Sequence, residues 1–161
     1  MPLELRLGCD AMLGTLARWL RFAGFDVLFD AALDDRELAQ RCRREGRWLL
    51  SRDRALVSTA GPRALLVTAQ GLAGQVAEVR RRLPLQVEPA RFFSRCSRCN
   101  GLLEEVSRGE VEHLVPPFVA VRAARFSRCG GCGTVYWPGT HHARIARRLA
   151  ELFVAPLEAD A

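Results

Sequence analysis

Apolar and polar positions follow two periods in the first half of the chain. Short segments rich in apolar residues and typical of strands lie at residues 3–9, 26–29, 48–51 and 64–68. Apolar residues recurring every three or four positions predict helices at residues 11–23, 36–45 and 72–83. This alternation predicts an α/β fold with a parallel sheet flanked by helices. A last edge strand is expected at 85–87.

The strand–helix rhythm ends near Pro89. The next fifty or so residues contain two Cys-x-x-Cys pairs, a Pro116–Pro117 pair and several glycines. Short strands are expected there at 102–106, 122–126 and 135–137, and Thr140 is expected to cap a last helix over 140–153. The predicted organisation is an α/β domain at 1–90, a small cysteine-rich ribbon at 91–139 and a C-terminal helix at 140–155.

Composition narrows the classes of partner. The chain has 161 residues, which suits one domain with a small appendage. It carries 24 basic and 18 acidic residues, and every basic residue is arginine. Because the guanidinium fork binds phosphate in pairs of hydrogen bonds, RNA or another nucleic acid is a plausible partner. No apolar run is long enough for a membrane span and no signal peptide is evident, so no membrane partner and a cytoplasmic location are expected.

Four of the six cysteines form two Cys-x-x-Cys pairs, Cys96 with Cys99 and Cys129 with Cys132. Each pair brings two sulfurs to one ion, and the glycine after each pair permits a tight turn. We expect a closed four-thiolate Zn²⁺ site whose role is structural, since no position is left for water. A redox Cys-x-x-Cys is the less favoured alternative. Cys9 and Cys42 are expected to be small buried residues.

Aspartates follow strands or begin helices in the α/β half. Asp10 ends the first strand, Asp34 and Asp35 begin the second helix, and Asp53 follows the third strand. Because the carboxyl ends of parallel strands share one edge, these carboxylates are expected near one crevice. Together they can bind Mg²⁺ or Mn²⁺, which prefer oxygen ligands. Separately, they are ordinary helix caps, and the spacing alone does not decide between the two.

Several motifs in order resemble one protein family. They lie at residues 9–14, 16–21, 24–26, 35–38 and 49–53, at the two Cys-x-x-Cys pairs and at 135–141. These segments resemble the Mut-seven C-terminal RNase domain, a PIN-like α/β fold followed by a zinc ribbon. The resemblance spans about residues 5–150.

The resemblance implies a metal-dependent endoribonuclease. It places Asp10, Asp35 and Asp53 at the positions that hold Mg²⁺ or Mn²⁺, with Asp30 or Asp34 as a further acidic ligand. A water molecule activated by the metal would attack the phosphorus. We expect Ser51 and Arg52 to support the site beside the metal or the phosphate. We expect the RNA strand to be bound by Arg18, Arg21, Arg98 and Arg125.

Two other functions fit the same sequence. In a non-catalytic RNA-binding or ribonucleoprotein-associated protein, the zinc ribbon and its arginines would bind RNA and the acidic site would be vestigial. A phosphatase or nucleotide hydrolase is less favoured, because the chain has no glycine-rich phosphate loop. The sequence indicates no particular protein partner.

Overall fold

A four-stranded parallel sheet forms the first half of the protein. The computed structural model describes residues 4–159. The strands are β1 (Arg6–Cys9), β2 (Asp26–Leu28), β3 (Trp48–Ser51) and β4 (Ala64–Leu66), in the order β2-β1-β3-β4. The register pairs Gly8 with both Leu28 and Leu49. Strands β2 and β3 lie on opposite sides of β1, so successive connections diverge between β1 and β3, where α/β sheets form their ligand crevice.

Helices cover both faces of this sheet. They are α1 (Gly14–Phe22), which follows a 3₁₀ turn at Ala11–Leu13, α2 (Asp35–Glu45), α3 (Arg54–Ala60) and α4 (Gly71–Arg82). Leu7 and Leu50 pack with α1 and α4 in one core, whereas Leu28 and Leu49 pack with α2 and α3 in the other. Successive strand residues therefore bury their side chains on opposite faces, which confirms the predicted α/β class.

Local sequence explains where α2 begins and ends. The Asp34 carboxylate accepts the N–H of Glu37 at 2.8 Å, which makes Asp34, and not Asp35, the N-cap. Gly46 ends the helix in the left-handed conformation at φ 67°. Helix α3 was not predicted, because it is only seven residues long and buries only Leu56 and Ala60.

A second, antiparallel sheet follows the first. Its strands are β5 (Leu103–Val106), β6 (Phe126–Cys129) and β7 (Val135–Tyr136), in that order. Between β5 and β6 lie the short helices α5 (Arg108–Val111) and α6 (Pro117–Arg122). The chain then forms α7 (Thr140–Leu149) and a π-helical turn at Ala150–Val154. Within residues 4–159, no helix has the length and apolar character needed to cross a bilayer.

Three local predictions for the second half are wrong. Residues 85–87 form no strand, because Leu85 and Val87 pack against the core without a strand partner. The strand expected at 122–126 begins only at Phe126, since the Pro116–Pro117 pair starts helix α6. The N-cap of α7 is Gly139, and no side chain caps that helix. The division into domains at residues 90 and 139 stays a prediction.

A buried arginine joins the parallel sheet to the first Cys-x-x-Cys turn. Arg21, on α1, is only 3% exposed. Its guanidinium donates to the carbonyls of Val27 at 2.9 Å and Phe29 at 3.3 Å. On the other side it donates to the carbonyls of Ser97 at 3.3 Å and Arg98 at 3.2 Å. One side chain therefore holds the end of β2 and the cysteine turn together.

Asn100 completes the same junction from the cysteine turn. Its side-chain oxygen accepts the N–H of Val27 at 2.9 Å, and its amide donates to Asp26 at 2.8 Å. Asp26 also accepts a hydrogen bond from the largely buried Arg47 at 2.7 Å, and this ion pair lowers the pKa of Asp26 against the opposing effect of burial. The Asn100 side chain thus pairs with the edge of β2, which would otherwise expose unpaired backbone groups.

Replacing Arg21 is expected to lower the free energy of unfolding of the protein. Arg21→Met keeps an apolar stem but leaves buried carbonyls without donors, which predicts a loss of about 2 to 4 kcal/mol in the free energy of unfolding. Urea denaturation of the zinc-loaded protein measures this change. The control is Arg36→Met, at an exposed position on α2, which is expected to change stability by about 0.5 kcal/mol or less. Equal losses in both variants would contradict the junction.

Candidate active site and cysteine metal centre

Asp10 lies at the carboxyl edge of the parallel sheet, between β1 and β3. Its backbone N–H donates to the carbonyl of Leu50 at 3.1 Å, which continues the pairing of the two strands. Its carboxylate is nearly buried at 4% exposure. Oδ1 accepts the N–H of Met12 at 2.9 Å, while Oδ2 accepts the Ser51 hydroxyl at 2.5 Å and the N–H of Arg52 at 2.9 Å.

Ser51 connects Asp10 to Asp53. The Ser51 side chain is fully buried. Its hydroxyl donates a hydrogen bond to Asp10 and accepts one from the N–H of Asp53 at 2.9 Å. Asp53 itself caps α3, since its Oδ1 accepts the N–H groups of Ala55 at 2.8 Å and Leu56 at 3.1 Å. The Ser51 hydroxyl therefore joins the Asp10 carboxylate to the backbone of Asp53.

Both carboxylates retain acceptor capacity for a cation. An ionised carboxylate has about four lone-pair sites, and three on Asp10 are used, so one remains on Oδ1. Asp53 Oδ2 has no hydrogen-bond partner among residues 4–159. Such oxygen donors match the preference of Mg²⁺ and Mn²⁺, which commonly keep several water ligands.

The other three predicted aspartates, Asp30, Asp34 and Asp35, are exposed and more loosely placed. The carboxylate of Asp35 has no hydrogen bond or ion pair within the described residues, Asp34 caps α2, and Asp30 accepts the N–H of Ala32 at 2.9 Å. In residues 4–159, no three acidic side chains bring their oxygens within 4.8 Å of one another. The metal-ligand roles of Asp10, Asp35 and Asp53 stay predictions.

The prediction that Arg21 binds nucleic acid needs a correction. Its guanidinium is buried and is hydrogen-bonded to backbone carbonyls on two sides, so it is not available to a phosphate. Arg21 belongs to the family-like motif at residues 16–21, but the role of its side chain is structural. No sequence signal distinguished Arg21 from the exposed Arg18, which lies three residues earlier on the same helix.

The remaining predicted arginines differ in their surroundings. Arg52 is turned back on the protein, where its guanidinium donates to the carbonyl of Ala69 at 2.7 Å. Arg98 is exposed, and its side chain has no hydrogen bond or ion pair within residues 4–159. Arg18 and Arg125 are exposed, and both line a cleft between α1, β7 and the start of α7. RNA contacts by these side chains stay predictions.

The four predicted cysteine ligands do converge. Their sulfur atoms all lie within 4.8 Å of one another, and in residues 4–159 they are the only group of three or more such ligands this close. Sγ of Cys96 lies 3.7 Å from Sγ of Cys132, and Sγ of Cys99 lies 3.3 Å from Sγ of Cys129. Tetrahedral Zn²⁺ with bonds of about 2.3 Å requires sulfurs about 3.8 Å apart. The cluster can therefore hold a metal such as zinc.

The two cysteine turns have similar backbone geometry. Four residues after the first cysteine of each pair, Asn100 at φ 73° and Gly133 at φ 75° both adopt the left-handed conformation. Gly101 has another role, because a Cβ there would lie 2.8 Å from the sulfur of Cys129. The glycine after the first pair is thus required for space beside the sulfurs, whereas Asn100 makes the turn.

Neighbouring hydroxyl groups contact two of the sulfurs. The hydroxyl of Tyr136 lies 3.0 Å from Sγ of Cys96, and burial with this contact raises the pKa of Tyr136 to about 12. The hydroxyl of Thr134 lies 3.1 Å from Sγ of Cys132, and this hydrogen bond lowers the pKa of that thiol to about 6. The thiolate is the form of cysteine that binds metal.

Cys9 and Cys42 are buried in the α/β half, as predicted. Burial raises the pKa of both thiols, that of Cys42 to about 11. A side chain at Gly8 would lie 2.5 Å from the sulfur of Cys42, so this glycine makes room for the cysteine. Both thiols are therefore inert packing groups.

Sequence reasoning missed Asn100 and Tyr136. Asn100 follows directly after a Cys-x-x-Cys pair, where asparagine often adopts the left-handed conformation, and this was the available signal. Its pairing with β2 is a long-range contact that no local pattern shows. Tyr136 carried no signal, since a tyrosine in a strand is ordinary.

A parallel α/β sheet with a nearly buried carboxylate at its carboxyl edge is joined in this protein to four cysteines that can hold a metal. A family model, the Mut7-C RNAse domain, matches residues 5–149, nearly the whole chain. The chain belongs to this family, which confirms the resemblance and indicates a nuclease-like function. Comparison with curated proteins and with solved structures gave no match.

Removal of one exposed cysteine is expected to release the metal. Cys99→Ala leaves no cavity in a core, so its effect reports metal binding and not packing. We expect the wild-type protein to carry one Zn²⁺ per chain by elemental analysis, and the variant to lose it and melt at a lower temperature. Cys42→Ala, at a buried thiol outside the cluster, is the control and is expected to keep its zinc. Full zinc content in Cys99→Ala would contradict the four-cysteine site.

Proposed function

We propose that the protein is a metal-dependent endoribonuclease that hydrolyses RNA phosphodiester bonds with Mg²⁺ or Mn²⁺ at the carboxyl edge of the parallel sheet. Asp10, Asp53 and Asp35 would hold the metal. The observation that carries the proposal is the position of Asp10, a nearly buried carboxylate with one remaining acceptor site at the crevice between β1 and β3, in a chain of the Mut7-C RNAse domain family.

The fixed position of Asp10 supports a ligand role. Two backbone N–H groups and the Ser51 hydroxyl set the plane of the carboxylate, so the free position on Oδ1 has one direction. Ser51 in turn orients the loop that carries Asp53. Outer hydrogen bonds of this kind orient metal ligands and tune their basicity.

The remaining acidic groups would complete the site through water. Oδ2 of Asp53 and the carboxylate of Asp35 have no hydrogen-bond partner within residues 4–159, so these oxygens are free to accept hydrogen bonds from the water ligands that Mg²⁺ commonly retains. A bound Mg²⁺ or Mn²⁺ would lower the pKa of a water ligand and neutralise charge on the phosphate. Attack of water oxygen on phosphorus with cleavage of the bond to the 3′ oxygen leaves a 3′-hydroxyl and a 5′-phosphate.

The four-cysteine cluster takes no part in this chemistry. Four sulfur ligands complete a tetrahedral Zn²⁺ site, so no coordination position remains for water or phosphate. Its proposed role is to hold the two cysteine turns together.

A second candidate is a non-catalytic RNA-binding protein. The observation that favours it is the absence, among residues 4–159, of three carboxylates with oxygens within 4.8 Å of one another. Three of the four acceptor positions of Asp10 are also used within the protein. In this case Asp10 would serve the fold, and RNA would bind elsewhere on the surface.

Asp53→Asn is the most informative variant for the nuclease proposal. The asparagine oxygen can still cap α3, so the fold is retained while the free anionic oxygen is lost. Loss of several kcal/mol of charge stabilisation predicts cleavage at least about 100-fold slower. The assay uses end-labelled single-stranded RNA with Mn²⁺. The metal-free control omits divalent metal and adds no chelator, since a strong chelator would also remove zinc.

Matched variants separate catalysis from folding. Glu37→Gln removes an exposed carboxylate from the first turn of α2 and is expected to cleave at the wild-type rate. Asp10→Asn is less suitable, because either orientation of the amide would point an NH₂ group at a backbone N–H donor. Equal rates in Asp53→Asn and wild type, or products ending in a cyclic phosphate, would contradict the proposal.

A further inference from the structure

A cleft of about 380 Å³ lies away from the acidic edge. One wall is the second half of α1, with Arg18 and Phe22. Another is the segment that leads into the first cysteine turn, and the third is β7 with the residues that follow it and the start of α7. The junction made by Arg21 and Asn100 brings these walls together. Its size is at the lower end of the range for small-ligand sites, about 300–1,000 Å³.

Flat rings and guanidinium groups dominate the lining of this cleft. Phe92, Tyr136 and Trp137 are among the rings that line it, and Arg18, Arg95 and Arg125 supply positive charge against the single carboxylate of Glu105. This combination of aromatic faces and arginines is the one that proteins use to hold unpaired nucleotides, with bases stacked on rings and phosphates on cations.

Two features of the cleft lack an explanation in packing alone. The Nε of Arg95 is buried and has no hydrogen-bond partner among residues 4–159. Phe93 adopts a left-handed conformation at φ 61°, which is strained for a bulky residue. Its N–H donates to the carbonyl of Phe22 at 2.8 Å, and its ring stacks on His142 with the centroids 4.0 Å apart. Strain of this kind concentrates at binding sites.

We infer that this cleft binds one unpaired nucleotide of an RNA strand. The base would stack on the aromatic wall that includes Trp137, and the adjoining phosphate would lie between Arg18 and Arg125. The inference deepens the proposed function, and it rests on that proposal only in taking RNA as the ligand. Arg18 lies eight residues after Asp10, on the order of 12 Å along α1 and its preceding turn. One RNA strand can therefore reach both the cleft and the acidic edge.

An acidic peptide fits the cleft less well than a nucleotide. Carboxylates alone would pair with the arginines but would leave the aromatic faces without a partner. A nucleotide uses both features, since every base has a flat face and every phosphate a negative charge.

The test is equilibrium binding of a fluorescently labelled single-stranded RNA by anisotropy, with full-length, zinc-loaded protein and no added Mg²⁺ or Mn²⁺. Arg125→Gln is expected to weaken binding and to lower the slope of log Kd against log salt by about 0.7, as one lost phosphate contact on a single strand requires. Arg122→Gln is the matched control, at an exposed arginine outside the cleft, and is expected to leave the slope unchanged.

Stacking is tested separately at Trp137. Trp137→Ala is expected to weaken binding about 5- to 100-fold, and Trp137→Phe, which keeps an aromatic face and the packing, to retain most of the affinity. The same strand with abasic sites is expected to bind wild type more weakly and to be insensitive to Trp137→Ala.

Several results would overturn the cleft assignment. Equal effects of Arg125→Gln and Arg122→Gln would mean that RNA is held only by diffuse surface charge. An abasic strand that binds as tightly as the intact one would exclude stacking. Polyglutamate binding with the same dependence on Trp137 would assign the cleft to an acidic peptide.

Cleavage by the wild-type protein, measured in parallel with Mn²⁺, separates this inference from the proposed function. Absence of cleavage together with binding that depends on Arg125 and Trp137 would overturn the nuclease proposal and support the cleft. Cleavage that depends on Asp53, with RNA affinity unaffected by both cleft residues, would do the reverse.

Discussion

Two polar side chains, Arg21 and Asn100, join the parallel sheet to the first cysteine turn, and the position of the antiparallel sheet follows from this junction. Arg21 binds carbonyls on both sides, and Asn100 pairs with the edge of β2. If either side chain lost these contacts, buried backbone groups at the junction would be left without hydrogen-bond partners. The junction therefore fixes the first cysteine turn on the sheet, and the four sulfurs fix the second turn on the first.

The cysteine cluster, the carboxyl edge of the parallel sheet and the aromatic cleft are formed by different residues. The cysteine cluster holds the antiparallel sheet in place, and the carboxyl edge of the parallel sheet presents Asp10 beside Ser51. The aromatic cleft exists only because the antiparallel sheet and α7 lie against α1. In the proposed binding mode, metal loss at the cysteines would alter the shape of the cleft and weaken RNA binding, although no cysteine is among the residues that line the cleft.

Periodicity predicted the elements that bury a clear apolar face, and it failed where contacts are long-range. Strands β1 to β4 and helices α1, α2 and α4 follow from local pattern and caps. Residues 85–87 have the composition of a strand but lack a neighbour to pair with. The prediction that Arg21 binds RNA is wrong, because two of its carbonyl partners lie more than 70 positions away and no local pattern shows them. Ligand spacing, by contrast, identified all four cysteines.

The proposed nuclease requires that Asp10 hold a catalytic metal at the crevice between β1 and β3. Crystals of the zinc-loaded protein soaked in Mn²⁺, with anomalous data collected on both sides of the manganese edge, test it most directly. We predict a zinc peak among the four sulfurs and a separate manganese peak in contact with the Asp10 carboxylate, with Asp53 or Asp35 bound directly or through water. Manganese absent from that edge, while zinc occupies the cysteines, would contradict a ligand role for Asp10.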